Sequence, residues 1–435
     1  MKRAAALLPV VLFACLDDAG TPLASFQRRI GSLDVEQIVA VGDGLAAGAS
    51  DGALFRSGQE RSVPALFNQH VTGGLDFAQP LIADPGIAID GEEGDRLALV
   101  STFPPVIERL PRGGPLDSAL DRPYSNLGVP GALLSEALVA ESAASSISGN
   151  PFYDIVLRDR GTFAEQVEAL DATLILLWIG TNDVLQYARV GGDGELAPGL
   201  PTPVSTFASV YENLLDRLMA VTDQVVLFNV PDVTEFPFLT TVPPVVIDPV
   251  TGEPVTVTVI EVVIDPQTGD TLTARREEPV PLVGQDGPLA PGDLVSLGAG
   301  PLLAEGVGIP ASQGGSGDRL PDHLVLDLGE QALARDAIAG YNEAIAEIAV
   351  ARSLAVVDVH AVVEALAEDG LVSDGVLLTA EFLTGQAFSL DGLRFSAKGY
   401  GLIANRLIDA VNLRYEASLP HLRTADLPGV PLTGR

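Results

Sequence analysis

Apolar residues in this chain fall in short unbroken runs rather than in alternation. Residues 37–41 (Gln-Ile-Val-Ala-Val), 174–180 (Leu-Ile-Leu-Leu-Trp-Ile-Gly), 224–229 (Gln-Val-Val-Leu-Phe-Asn) and 354–359 (Leu-Ala-Val-Val-Asp-Val) each read as a strand covered on both faces. Helix-period patterns lie at 207–220, 330–352 and 397–414. Strand and helix in alternation predict a doubly wound α/β sandwich, in which a ligand lies beyond the carboxyl ends of the strands. Gly42-Asp43-Gly44 and Gly180-Thr181-Asn182-Asp183 both stand at such ends, so the pattern directs them to one crevice.

Residues 243–322 interrupt this rhythm. Asp248-Pro249-Val250-Thr251-Gly252 and Asp265-Pro266-Gln267-Thr268-Gly269 are similar turn cassettes, with the β-branched stretch 255–264 between them. Asp-Pro openings closed by Gly mark β-turns, so residues 243–283 are predicted to form a hairpin or meander. Residues 284–322 read as a Gly/Pro-rich loop. A long insertion of this kind is as readily a lid or binding surface as a decoration.

Composition narrows the reading. The 435 residues include 47% hydrophobic residues, 45 Gly and 32 Pro, which fits one large domain with a sizeable core and long loops. The formal net charge is −33, and Lys2 and Lys398 are the only lysines. That balance disfavours nucleic-acid binding, which needs clustered Lys and Arg to neutralise phosphates. It suits a high-salt or extracytoplasmic setting, and composition drift accounts for it equally well.

The first residues add a location. Met1-Lys2-Arg3 precedes an apolar stretch from Ala4 to Ala14 that is too short to span a bilayer. It runs into Leu12-Phe13-Ala14-Cys15, whose cysteine is the only one in the chain. This resembles a bacterial lipoprotein signal, which implies cleavage before Cys15 and a membrane anchor of lipid on its thiol. An ordinary secretory signal is the alternative. A single cysteine excludes an intrachain disulfide framework and a CxxC metal site. The expected organisation is a signal peptide at 1–14, a lipidated tether at 15–34, a domain at 35–412 interrupted by 243–322, and a tail at 413–435. The expected location is the bacterial cell envelope, outside the cytoplasm.

The candidate chemistry rests on four segments. They are Val39-Ala40-Val41-Gly42-Asp43-Gly44-Leu45, Tyr124-Ser125-Asn126-Leu127-Gly128, Trp178-Ile179-Gly180-Thr181-Asn182-Asp183 and Ser389-Leu390-Asp391-Gly392-Leu393-Arg394. In this order they resemble the signature blocks of GDSL-type esterases and lipases, the SGNH hydrolase superfamily, over about residues 36–412. The resemblance implies a three-layer α/β/α, flavodoxin-like fold with a β-rich insertion. It also implies a serine at the end of the first strand that attacks an ester carbonyl. A histidine takes the serine's proton, and an aspartate three residues upstream orients that histidine. By position, the oxyanion donors are the N–H groups of Gly44 and Gly128 and the side chain of Asn182. Asp391 is the triad acid, and Asp43 and Asp183 support turns.

Two positions depart from the pattern. The nucleophile position holds Gly44, which has no side chain. The base position holds Arg394, whose guanidinium keeps its proton and cannot serve as a base near neutral pH. In a serine protease, losing one triad member costs on the order of a million-fold in turnover, and losing a second adds little. The expectation is a degenerate esterase whose oxyanion pocket persists as a binding site. Arg394 beside Asp391 would add affinity for a carboxylate, phosphate or other small anion, with an ester the other expected ligand class.

Two alternatives stand beside this one. The first is an active ester hydrolase with another nucleophile or base. The second is a structural envelope lipoprotein that works through its insertion. Among stand-in nucleophiles, Ser50 lies too far past Gly44, and Ser389 and Ser396 read as turn or cap residues. Of the histidines, His70, His323 and His421 are poorly placed, and His360 follows the fourth strand toward the crevice. Asp43, Asp183 and Asp391 as a Mg²⁺ or Ca²⁺ set is the weakest reading, so no metal or cofactor is expected.

Overall fold

The computed structural model describes residues 29–89, 96–102, 105–116, 120–264 and 271–430. The signal segment, Cys15 and most of the tether, the cassette from Asp265 to Gly269 and the last five residues of the tail lie outside the described residues. Five parallel strands make the central sheet: β1 Ile38–Gly42, β2 Asn126–Gly128, β3 Leu174–Trp178, β4 Val225–Phe228 and β5 Ala355–Val357. Their spatial order is β5-β4-β3-β1-β2. Every residue of β1, β3 and β4 is buried, which is why these strands read as continuous apolar runs. Gly42 lies opposite both Gly128 and Trp178, so three strands end at one level. From β1 the chain goes outward to β2 and then returns to the other side of β1 as β3. That reversal of direction opens a crevice at the carboxyl ends.

Helices α1 Gly44–Ala47, α2 Val63–Thr72, α3 Asn182–Arg189, α4 Val204–Met219, α5 Leu328–Arg352, α6 Val359–Glu368 and α7 Ala397–Tyr415 fill the connections and outer layers. α2 packs against α7, and α4 packs against α5. A capping box starts α5: Asp327 Oδ1 accepts from Glu330 N–H at 2.8 Å, and Glu330 Oε2 accepts from Asp327 N–H at 2.8 Å. Ser396 Oγ caps α7 by accepting from Gly399 N–H at 3.2 Å. Trp178 stacks on Phe228 at 4.9 Å and meets Phe395 at 6.5 Å, so the residue after Arg394 is anchored in the core under the strand ends. Among the described residues no helix is long and apolar enough to cross a membrane.

The structure differs from the sequence reading in four places. β2 is a strand of only three residues, too short to show a pattern. The run expected as a strand over 354–359 ends at Val357, and α6 begins at Val359 because Asp358 Oδ1 accepts from Ala361 N–H at 3.0 Å. An unexpected hairpin pairs Leu97–Thr102 with Pro105–Arg109. Within the interrupting region, Thr256–Ile264 pairs with Thr271–Pro279 as the expected hairpin, whereas residues 284–322 are more than a loop. Val280, Leu282, Leu289, Val295 and Leu320 close a second small core there, and Leu294–Val295 pairs with Val325–Leu326. Those apolar residues are spaced without a period, so the sequence pattern did not reveal them.

Candidate active site

Gly44 is the first residue of α1, where β1 turns into helix. Asp43 caps that helix, its Oδ1 accepting from Leu45 N–H at 2.9 Å. The first N–H of a helix has no intrahelical acceptor, so Gly44 presents an orphan donor at the strand end. A Cβ built on Gly44 would stand 3.5 Å from Pro130 Cα and 3.6 Å from Ala49 Cβ, ordinary contact distances. The position therefore has room for a larger side chain.

The second segment corrects the sequence reading. Gly128 is a glycine for close approach: a Cβ there would lie 2.5 Å from Ala47 N. Its N–H is already engaged, donating to Asn126 Oδ1 at 2.9 Å, so it is not available to a ligand. The glycine that does line the crevice is three residues on. Ala132 N–H donates to Val129 O at 3.1 Å, and Gly131 has φ +80°, so Val129-Pro130-Gly131-Ala132 is a type II turn. Side-chain amides hold all three following carbonyls: Asn150 Nδ2 donates to Pro130 O at 2.7 Å, Gln186 Nε2 to Gly131 O at 3.2 Å and Asn182 Nδ2 to Ala132 O at 3.0 Å. In a trans peptide the C=O and N–H point oppositely, so Asn150 on Pro130 O directs Gly131 N–H away from itself. Among the described residues that N–H has no acceptor. The Pro-Gly dipeptide is the signal that locates this turn in the sequence.

Asn182 opens α3, and after its bond to Ala132 O its amide keeps one further hydrogen. Asp183 tethers the preceding loop to α3, its Oδ2 accepting from Leu134 N–H at 2.9 Å and its Oδ1 from Thr202 Oγ1 at 2.7 Å. Burial pushes the Asp183 carboxyl up to about 6 against the lowering effect of those bonds. Burial likewise pushes Asp43 up to about 7, with Asp183 adding to the rise and Arg394 opposing it. Asp43 Oδ2 is buried without a hydrogen-bond partner, which fits a carboxyl that prefers to stay neutral.

The fourth segment is wired tightly. Asp391 Oδ1 accepts from Ser389 Oγ, Leu393 N–H and Arg394 N–H, each at 2.9 Å. Its Oδ2 accepts from Gly52 N–H at 2.7 Å and from Arg394 Nη1 at 2.9 Å. Both side chains of this ion pair are buried, at 9% and 6% exposure. Ser389 Oγ also accepts from Asp51 N–H at 2.9 Å, and Asp51 Oδ2 pairs with Arg96 at 3.0 Å.

Gly131, Asn182 and Arg394 line one cleft of about 310 Å³, together with Asn150, Gln186 and Arg189. No acidic residue and no histidine is among its described lining residues. Ser50, Ser389 and Ser396 lie off the cleft; Ser396 Oγ donates to Gln386 O at 2.6 Å. His360 sits on α6 rather than at a strand end, with its backbone N–H on Asn229 Oδ1, and does not reach the cleft. His70 contacts Pro420 O, His421 contacts Asp409, and His323 sits in a single helical turn, Asp322–Leu324, at the end of the interrupting region. The three aspartates do not converge, each being committed to its own turn, and no group of three or more metal-ligating side chains occurs among the described residues.

A family model described as GDSL-like Lipase/Acylhydrolase matches residues 38–407. The chain belongs to the GDSL-like lipase/acylhydrolase family. No curated protein matches it. The GDSL span starts at the first residue of β1 and ends within α7, so it includes every residue named around the cleft. Its central parallel sheet and flanking helices are the α/β/α architecture of that family. In this GDSL-family chain the cleft is lined by two guanidiniums, three side-chain amides and the Gly131 backbone, with Gly44 behind Pro130. Guanidinium and amide N–H groups are donors of the kind that pair with oxygen acceptors.

Proposed function

We propose that this GDSL-family protein has given up serine-hydrolase chemistry and uses the cleft to bind a small anionic ligand. The observation that carries the reading is the buried Arg394–Asp391 pair at the cleft, where the family's pattern puts a histidine on that aspartate. No imidazole lines the cleft to replace it, and Gly44 offers space but no nucleophile. The oxyanion donors we assign are the N–H groups of Gly44 and Gly131 and the Asn182 amide, with Gly131 in place of Gly128. They would receive the ligand's oxygens, and Arg394 and Arg189 would supply the counter-charge. Arg394 holds a fixed direction because Asp391 anchors one of its nitrogens. In a chain of net charge −33, a cleft lined by Arg394 and Arg189, with no acidic residue among its described lining residues, favours an anion over the surrounding surface.

We further propose that lipid on Cys15 tethers the protein to the bacterial envelope, outside the cytoplasm. The basic Met1-Lys2-Arg3, the apolar stretch that follows and the lone cysteine after Ala14 support this. The test of function uses the purified full chain. It is expected to resist labelling by a fluorophosphonate, to leave short acyl esters intact, and to bind butyrate or phosphate by calorimetry in a manner weakened by Arg394→Gln. Robust fluorophosphonate labelling of the unaltered chain would sink the proposal.

A further inference from the structure

The outer edge of the sheet at β5 carries a second surface, remote in kind from the cleft. β5 is the last strand on its side, and among the described residues no strand pairs with its outer edge. A groove of about 750 Å³ follows that edge between α5 and α7. Val356 lines it from the strand, Leu354 from just before it, Val350 from α5 and Leu413 from α7. Val350 is 81% exposed and Leu413 87% exposed. Large aliphatic side chains that converge on one groove differ from the single exposed apolar residues any surface carries.

The backbone of the edge is also unsatisfied by pattern. Val357 O accepts from Asn229 N–H, on the β4 side. Alternation along a strand then turns the N–H and C=O of Val356 outward, toward the groove. An open edge of this kind is a template for another strand.

We propose that the occupant is a second copy of this chain, joined through β5 in a two-fold dimer with antiparallel strands centred on Val356. Charge complementarity selects this occupant. The groove has Asp358 at one end and Arg414 at the other, and Arg414 Nε is held on Ser353 O at 2.6 Å. About an axis normal to the sheet through Val356, that residue faces itself and exchanges both backbone hydrogen bonds with its copy. Asp358 then faces Leu354 of the second copy, next to the Ser353–Arg414 contact. Each Asp358 meets an Arg414, and Val350 and Leu413 leave water together on both sides. The surface is thus complementary to itself under the commonest symmetry of soluble oligomers. The high net charge opposes association at low salt, so dimerisation is expected to strengthen as salt screens it.

The test uses the full chain carrying Cys15→Ser, which removes the only native thiol and any lipid-driven association. Analytical ultracentrifugation is expected to find a dimer at moderate salt. Leu413→Asp and Arg414→Glu, both surface changes that leave the core intact, are each expected to weaken it about tenfold or more, equivalent to about 1.4 kcal/mol. Val356→Cys, then the single thiol, is expected to give a covalent dimer with a short bis-maleimide, and the same thiol at exposed Leu377 is expected to give none. A monomer at every concentration overturns the proposal, as does a dimer that Leu413→Asp leaves unchanged. A monomer whose Val356→Cys thiol reacts only after residues 1–28 are removed would assign the groove to the chain's own N-terminal segment and overturn it equally.

Discussion

The Arg394 turn lines the cleft, the Gly44 turn lies behind its lining residue Pro130, and the two are built in opposite ways. At Gly44 a side chain is absent and the space for it remains, bounded at 3.5 Å by Pro130. At Arg394 a long side chain is present and bonded into a buried pair with Asp391. The first change leaves the scaffold as it was. The second is part of the scaffold, because Asp391 now holds the guanidinium together with the 389–394 turn. Placing a serine and a histidine here would mean adding a side chain at one position and removing a bonded one at the other.

The comparison can be broken most severely by restoring both positions. Gly44→Ser with Arg394→His is expected to raise turnover of a short acyl ester by about 10²–10⁴-fold over either single variant, the contribution of a positioned acid–base group. Gly44→Ser alone should stay near the unaltered chain. If it matched the double variant, some other base would already be in place and the contrast would collapse.

Next in size is stability. Asp391→Ala strands a buried guanidinium and is expected to cost roughly 3–5 kcal/mol in urea unfolding. A loss under about 1 kcal/mol would show that Arg394 is not built into the scaffold.

Asp43, behind the Gly44 turn, gives a pH signature. Its folded pKa of about 7 lies above the ordinary 3.8. Between those values the unfolded chain has released a proton that the folded protein still holds. Stability should therefore fall as pH rises from about 4 to 7, by up to about 1.4 kcal/mol per pH unit for this group. Asp43→Asn keeps the Leu45 cap and should flatten the profile in that window, as followed by thermal melts against pH.

The smallest expected effect is at the empty position. Gly44→Ala has room and no positive φ to oppose it, so it should stabilise by roughly 0.4–1 kcal/mol through the unfolded state. A destabilisation by more than that would mean the space at Gly44 is not usable, and the serine restoration would fail for steric reasons.

Much of the sheet was legible because burial on both faces writes itself as unbroken apolar runs, as at Leu174–Trp178 and Val225–Phe228. The crevice followed from where those runs end. Asn126–Gly128 was legible only as part of a motif, since three residues carry no periodicity. The Gly128 assignment failed for a reason invisible in sequence: its N–H direction depends on Asn126, two residues earlier, turning back to accept it. Gly131 was within reach of turn chemistry, because Val-Pro-Gly is the composition a type II turn requires. The small core around Leu282 and Leu320 gave no signal, its contacts being made by residues of scattered spacing.

The tie between Asp51 and Ser389, and between Gly52 and Asp391, spans 338 and 339 residues of chain. These bonds fasten the turn that carries Asp391 and Arg394 to residues just past the first strand. During synthesis, at about 5–20 residues per second, the first strand and its turn emerge many seconds before the residues that complete the cleft. The strands β1, β3 and β4 emerge early, but the cleft is complete only when nearly the last segment has folded back onto the first. A chain cut short anywhere before residue 389 would therefore lack the turn that places Arg394 at the cleft.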